Sequence, residues 1–201
     1  MRAREGLGFV FLATRRLDEA IFEFKELLKR NPGDNQGIRY LVAPIYLLKG
    51  EIKTALKEYE WYERHYRGDM PDPYYLINWG LALFLDRQYE KAAIKFRLTI
   101  FANPYLIPVI LKEKPKVLPI WHSNNLMEID YAYDYPMWCW ELWTKQIEAQ
   151  RFLKFLWTDI EIQENYNKWI EYWTELNGLK DINQRTRLLD LYRKIENKKP
   201  T

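Results

Sequence analysis

Apolar residues recur along the first hundred positions with helical spacing. In the segment 17–28, LDEAIFEFKELL, the positions Leu17, Ala20, Ile21, Phe24, Leu27 and Leu28 fall three or four apart and form one stripe. Moving 35 residues on gives Ile52, Ala55, Leu56, Tyr59 and Tyr62, and a further 37 gives Tyr89, Ala92, Ala93 and Phe96, with Ile100 next on the stripe. A second set moves in step: Leu7, Gly8 and Phe11, then Val42, Ala43 and Tyr46, then Trp79, Gly80 and Leu83. Small residues at Gly8, Ala43 and Gly80, and at Ala20, Ala55 and Ala92, let two helices of one unit approach closely while large neighbours wedge against other units. The pattern predicts three helical hairpins.

Stops and starts agree with this reading. Asn31-Pro32 and Asn103-Pro104 end second helices, because proline cannot continue a helix and biases the residue before it away from helical geometry. Gly50, after YLLK, suits the left-handed residue that follows a helix. Pro71 and Pro73 mark the two extra residues before the third unit, which places that insertion in a loop. Pro44 is expected inside a helix, bent there to follow the array rather than to shape a ligand slot.

The stretch NPGDNQGIRYL, residues 31–41, has the look of a ligand-binding loop. A Walker-type loop would end in Gly-Lys-Ser/Thr, whereas Gly37 is followed by Ile38 and Arg39. A calcium loop needs several alternating acidic or amide ligands, and Asp34 is the one acidic residue there. The stretch is therefore expected to be a joint: Asn31-Pro32-Gly33 stops one helix, and Asp34 or Asn35 caps the next.

At Leu7-Gly8, Phe11, Ala20, Phe24 and Pro32, and again at Trp79-Gly80, Ala92, Phe96 and Pro104, the chain resembles the tetratricopeptide repeat family. Together with NPYLIPVIL and YAYDY, the joint also resembles a group of bacterial tetratricopeptide proteins without an assigned reaction. The resemblance covers residues 1–104. It implies a short right-handed array whose first helices line a concave peptide-binding groove. The groove-facing positions it implies are Arg2, Glu5, Phe9 and Leu12, then Gly37, Tyr40, Pro44 and Leu47, then Tyr74, Ile77, Leu81 and Phe84. Among these Glu5, Phe9, Tyr40, Pro44, Tyr74, Ile77 and Leu81 are the candidate contacts to a protein or peptide partner. The Lys and Asn residues with which some members hold a terminal carboxylate are absent at these positions.

After residue 104 the pattern changes. PYLIPVILKEKPKVLPIWHSN (104–124) carries four prolines among apolar residues and predicts a short helical turn, then an extended crossing segment. Ser123 or Asn124 is positioned to cap a helix over about 125–134, and further helices are expected at about 137–157, 159–176 and 181–197. The second-last has Ile162, Tyr166, Trp169, Ile170 and Trp173 on one face; the last has Leu188, Leu191, Tyr192 and Ile195. The helix opening with PMWCWELW is apolar nearly all round and should be buried on several sides. A repeat array must cover its terminal unit, so residues 105–201 are expected to cap the repeats. The groove is then filled by these aromatic helices, or else it takes an amphipathic helix of a partner; the pattern leaves both open.

Composition narrows the function. A chain of 201 residues with 48% hydrophobic and 29% charged residues folds as an ordinary soluble domain. Its nine Trp, fifteen Tyr and nine Phe suit helix contacts that must be stable with few residues. The 31 basic and 28 acidic side chains are interspersed and give +3, which speaks against a nucleic-acid partner. The basic KEKPK (112–116) and NKKPT segments, beside Tyr and Trp, carry the alternative of RNA association. No apolar run is long enough to span a membrane. One cysteine and no signal-peptide pattern make the cytoplasm the expected location.

Candidate chemistry is sparse. His65 and His122 stand 57 residues apart without a ligand-spaced partner, so no metal is expected. Cys139, between Trp138 and Trp140, reads as a buried thiol rather than a nucleophile. Asp18, Glu19, Glu23 and Glu26 alternate with Lys25 and Lys29 as a solvated helix face does. The expectation is an all-α, non-enzymatic interaction scaffold without a cofactor, its oligomeric state unspecified.

Overall fold

A computed structural model describes residues 2–34, 36–66 and 72–196, with side chains as far as Leu191. Every regular element among them is helical. Asn35, Pro71, Tyr192, Ile195 and the NKKPT tail, each named in the sequence reading, lie outside that description.

The first six helices form three hairpins: α1 (Arg2–Ala13) with α2 (Leu17–Arg30), α3 (Val42–Leu48) with α4 (Ile52–His65), and α5 (Pro73–Leu85) with α6 (Tyr89–Ala102). Their internal turns share one hydrogen-bond pattern. Arg15, Gly50 and Arg87, with φ of 61°, 77° and 63°, donate their N–H to the carbonyls of Leu12, Leu47 and Phe84. The next residues, Arg16, Glu51 and Gln88, donate to Phe11, Tyr46 and Leu83. This paired 5→2 and 6→1 pattern is a Schellman turn, and it falls at the spacings of 35 and 37 residues found in the side-chain stripes. Gly50 has the expected left-handed backbone; its counterparts are arginines.

Packing inside the hairpins repeats as well. The Gly8 backbone lies against the Phe24 ring and the Gly80 backbone against the Phe96 ring, so close that a Cβ would come within 2.6 and 2.4 Å of ring carbons. The second unit has Ala43 and Tyr59 in these places, both fully buried.

Pro44 departs from expectation. The helix that would have contained it is divided into a 3-10 turn, Ile38–Tyr40, and the short α3, of which Pro44 is the third residue. In a first turn the amide has no helical partner to lose, so the proline neither bends a helix nor breaks a bond.

Past α6 come the short α7 (Leu106–Ile110) and an irregular crossing segment, tied to the next layer where Trp121 N–H donates to Trp173 C=O. The helix expected over 125–134 is a 3-10 turn, Asn125–Met127, followed by α8 (Ile129–Tyr133), with Asn124 capping the turn through Leu126 N–H. The helix expected over 137–157 is two, α9 (Met137–Thr144) and α10 (Ile147–Trp157). Gln150 donates its side-chain amide to the Trp143 carbonyl at this break. The change of direction lets α9 lie on α3 while α10 lies on α5 and α6. The last helices, α11 (Ile160–Gly178) and α12 (Ile182–Glu196), follow the expected bounds closely.

The largest core cluster joins both halves of the chain. Ile77, Leu81 and Phe96 share it with Cys139, Leu142, Trp143, Ala149 and Leu153 from α9 and α10. A separate cluster gathers Phe101, Ile120, Trp169, Trp173 and Leu188. No helix among the described residues is long and apolar enough to cross a membrane.

Candidate functional site

A cleft of about 810 Å³ opens between the joint that precedes α3, the start of α5, and the 125–126 and 136–139 segments. Its first wall is built by Asp34, which is buried at a φ of 42°. The carboxylate accepts the N–H groups of Ile38 and Arg39 at 2.9 and 2.8 Å and the Arg39 guanidinium at 3.1 Å. That guanidinium lies over the rings of Tyr40 and Tyr66, 4.5 and 4.8 Å from their centroids, and donates to the Tyr40 hydroxyl. Gly37, with φ 71°, permits the turn that presents Tyr40; a Cβ there would stand 3.3 Å from its ring. Charge and backbone thus fix one aromatic side chain at the cleft.

The opposite wall starts where Asp72 caps α5 and Pro73 takes its first helical position, a favourable pairing. The Asp72 carboxylate accepts from Tyr74 N–H at 2.7 Å, Tyr75 N–H at 3.3 Å and the Tyr131 hydroxyl. Burial raises its pKa above the usual carboxylate value, and these donors oppose the rise. Tyr74 stacks on Tyr131 with centroids 4.2 Å apart and donates its hydroxyl to the Tyr131 carbonyl. Below them Asn78 accepts from the Tyr135 hydroxyl and donates to Cys139 Sγ at 3.6 Å, while Trp143 Nε1–H donates to Tyr135 at 3.2 Å. Burial pushes the Cys139 thiol well above its ordinary range, so it stays protonated. Each of these acids, and the amide and thiol, thus has hydrogen-bond partners within the chain, and these bonds hold the walls together.

The structure brings Tyr40, Pro44 and Tyr74, with Gly37, into this cleft. Ile77 and Leu81, expected at a partner's surface, are fully buried in the core that α9 and α10 complete; Leu12 and Leu47 are buried too. Phe84 packs on Phe152 of α10 at 5.2 Å. Glu5 accepts from the Gln36 side chain at 2.5 Å beside the cleft, and Phe9 is exposed with its ring against Phe24. Arg2 is exposed. Of the positions implied by the resemblance, Ile77, Leu81 and Phe84 are therefore covered by this chain's own helices, whereas Tyr40, Pro44 and Tyr74 line the open cleft.

Sequence reasoning missed Arg39, Asp72, Asn78 and Trp138 as cleft residues. Asp72-Pro73 is a legible helix start, but nothing local shows that this start faces the 31–41 joint. The rings beside the basic 112–116 segment are already engaged: Trp121 stacks on Trp173 at 5.5 Å beneath Arg185, and Tyr105 is buried. No group of three or more His, Cys, Asp or Glu side chains among the described residues could hold a metal ion. Comparison with protein-family models, curated proteins and solved structures gives no match to this chain.

Proposed function

We propose that this protein is a non-enzymatic interaction module, a tetratricopeptide-like array of three hairpins that takes a short peptide segment of a partner protein in the cleft between Tyr40 and Tyr74. One observation carries the reading: Tyr40, Pro44 and Tyr74 share one cleft with Trp138, and the Asp34 and Asp72 carboxylates in its walls are held by hydrogen bonds from the chain itself. Such a site offers apolar and aromatic surface for shape-matched side chains. Its volume is that of ordinary ligand pockets. With α9 and α10 packed in the groove, the cleft suits a short extended segment better than a long helix. The lone buried thiol is compatible with the reducing cytoplasm.

Panning a random peptide library on the intact chain, then titrating a selected peptide calorimetrically, tests this. Tyr40→Ala and Trp138→Ala should each weaken binding by about tenfold or more, as truncation of an aromatic anchor does. Phe9→Ala should leave it unchanged. Failure to select any peptide, or equal binding by all variants, would refute the reading.

A further inference from the structure

The chemistry of the cleft restricts which segment it can take. Among the described residues its lining carries three charged side chains, Asp34, Arg39 and Asp72. Asp34 and Arg39 pair with each other at 3.1 Å, and Asp72 holds two backbone N–H groups and the Tyr131 hydroxyl. A charged side chain entering here would find its opposite charges already engaged, so an uncharged segment is favoured. The same bonds engage the carboxylates, which are the strongest acceptors in the lining. An extended segment of ordinary residues brings one N–H per residue, and an N–H buried without an acceptor costs about as much as a lost hydrogen bond. Proline has no N–H to satisfy. Trp138 supplies the converse. It is half-buried in the lining, and its indole N–H, which can donate but not accept, has no hydrogen-bond partner among the described residues. A ligand rich in acceptors and poor in donors fits that arrangement.

We propose that the bound segment is proline-rich and lies in the cleft as a polyproline II helix, its rings against Tyr40, Tyr74 and Trp138 and one of its carbonyls accepting the Trp138 N–H. The proposal rests on the peptide-binding reading above and specifies which peptide. A polyproline II helix makes no internal hydrogen bonds, so its carbonyls are free to accept. Its conformation is already set by the proline rings, so little freedom is lost on docking in an aromatic-lined groove. The aromatic walls are set in advance as well. The Arg39 guanidinium holds one face of Tyr40, 4.5 Å from the ring centroid, and Tyr131 stacks on one face of Tyr74 at 4.2 Å. Trp138 is anchored by apolar residues of two core clusters. Rigid rings and a rigid ligand together lower the entropy cost of association.

Calorimetric titration of the intact chain with a capped octaproline, and with a capped Gly-Ser peptide of equal length, tests this. Octaproline should bind saturably and at least about tenfold more tightly than the Gly-Ser peptide, the scale of a well-placed anchor. Trp138→Phe keeps a ring but deletes the donor, and should weaken octaproline binding by about fivefold or more, the worth of one hydrogen bond. Trp121→Phe is the control, because Trp121 lies outside the cleft, stacked on Trp173; it should leave binding unchanged. Circular dichroism should show both variants folded, and the comparison of the two peptides on the wild type stands without them. Octaproline binding no tighter than that of the Gly-Ser peptide, or equal in Trp138→Phe and wild type, would overturn the proposal. If octaproline fails while proline-free peptides selected from a random library bind and are lost with Tyr40→Ala, the proline-rich ligand is refuted and the peptide-binding cleft stands. If neither kind binds, both are refuted.

Discussion

At Gly80 a single hydrogen decides how closely the third hairpin can shut. A Cβ at this position would lie 2.4 Å from the buried Phe96 ring, which also faces Trp143 and Phe152 and has little room to yield. Gly80→Ala should therefore destabilise by about 1–3 kcal/mol, the usual cost of overpacking. Gly6→Ala, with nothing within 4 Å of the added carbon, should stabilise by roughly 0.5–1 kcal/mol through helix propensity. Urea unfolding of the two variants should thus move in opposite directions. Asp72 gives a pH signature at the same scale. Its folded-state pKa is raised, chiefly by burial, so over the interval from the ordinary carboxylate value up to the raised one the folded protein binds more protons than the unfolded. Stability contributed by Asp72 is full below that interval and declines as pH rises through it. Asp72→Asn retains an N-cap acceptor but has no proton to lose. The stability of the wild type minus that of Asp72→Asn should fall with rising pH; a flat difference would mean that burial does not disfavour this carboxylate.

Among the elements, the junction of α6 and α7 depends on one amide. Asn103 is fully buried; its Oδ1 accepts from Tyr105 and Leu106 N–H, and its Nδ2 donates to the carbonyls of Leu126 and Glu128. Asn103→Ala strips all four groups of a partner in a place short of water. A loss of about 2–4 kcal/mol is expected, measurable as a lower urea midpoint with unchanged slope. Half of this role was legible: Asn103-Pro104 reads as a helix stop, whereas the bonds to Leu126 and Glu128 are tertiary and have no local pattern. The hairpins were legible because the 3.6-residue period and the small-large pairs Gly8/Phe24 and Gly80/Phe96 are properties of neighbouring turns. The break between α9 and α10 was not, since residues 144–147 contain neither glycine nor proline and the bend follows from packing on two different surfaces. Cleft residues divide the same way. Tyr40, Pro44 and Tyr74 are positions that the family resemblance implies, and they line the cleft. The burial of Ile77 and Leu81 depends on helices more than fifty residues further along the chain, which a periodicity read on α5 does not include.

For the whole molecule, the question is whether the C-terminal helices cover a finished array or complete an unfinished one. Phe96 has Trp143 and Phe152 as ring neighbours, Phe84 rests on Phe152, and Asn78 holds Tyr135 and Cys139. These contacts tie hairpin three to α9 and α10 inside one core, and Phe101 extends the connection to Trp169 of α11. A chain shortened to residues 1–136 would expose the Ile77, Leu81 and Phe96 surface, each large side chain forfeiting about 1.5–3 kcal/mol of burial. That loss is comparable with the whole stability of a domain, about 5–15 kcal/mol. The shortened chain should therefore bind a hydrophobic dye and melt without a cooperative transition. The intact protein should unfold in one step, with far-ultraviolet dichroism and tryptophan fluorescence coinciding. If residues 1–136 instead remained soluble and unfolded cooperatively, α9 and α10 would be a detachable cover, and the full groove, including Ile77 and Leu81, would become available to a partner when they left. The shared core argues for the first outcome: a partner of the kind proposed would then be confined to the cleft at Tyr40 and Tyr74, because opening the groove further means unfolding the protein.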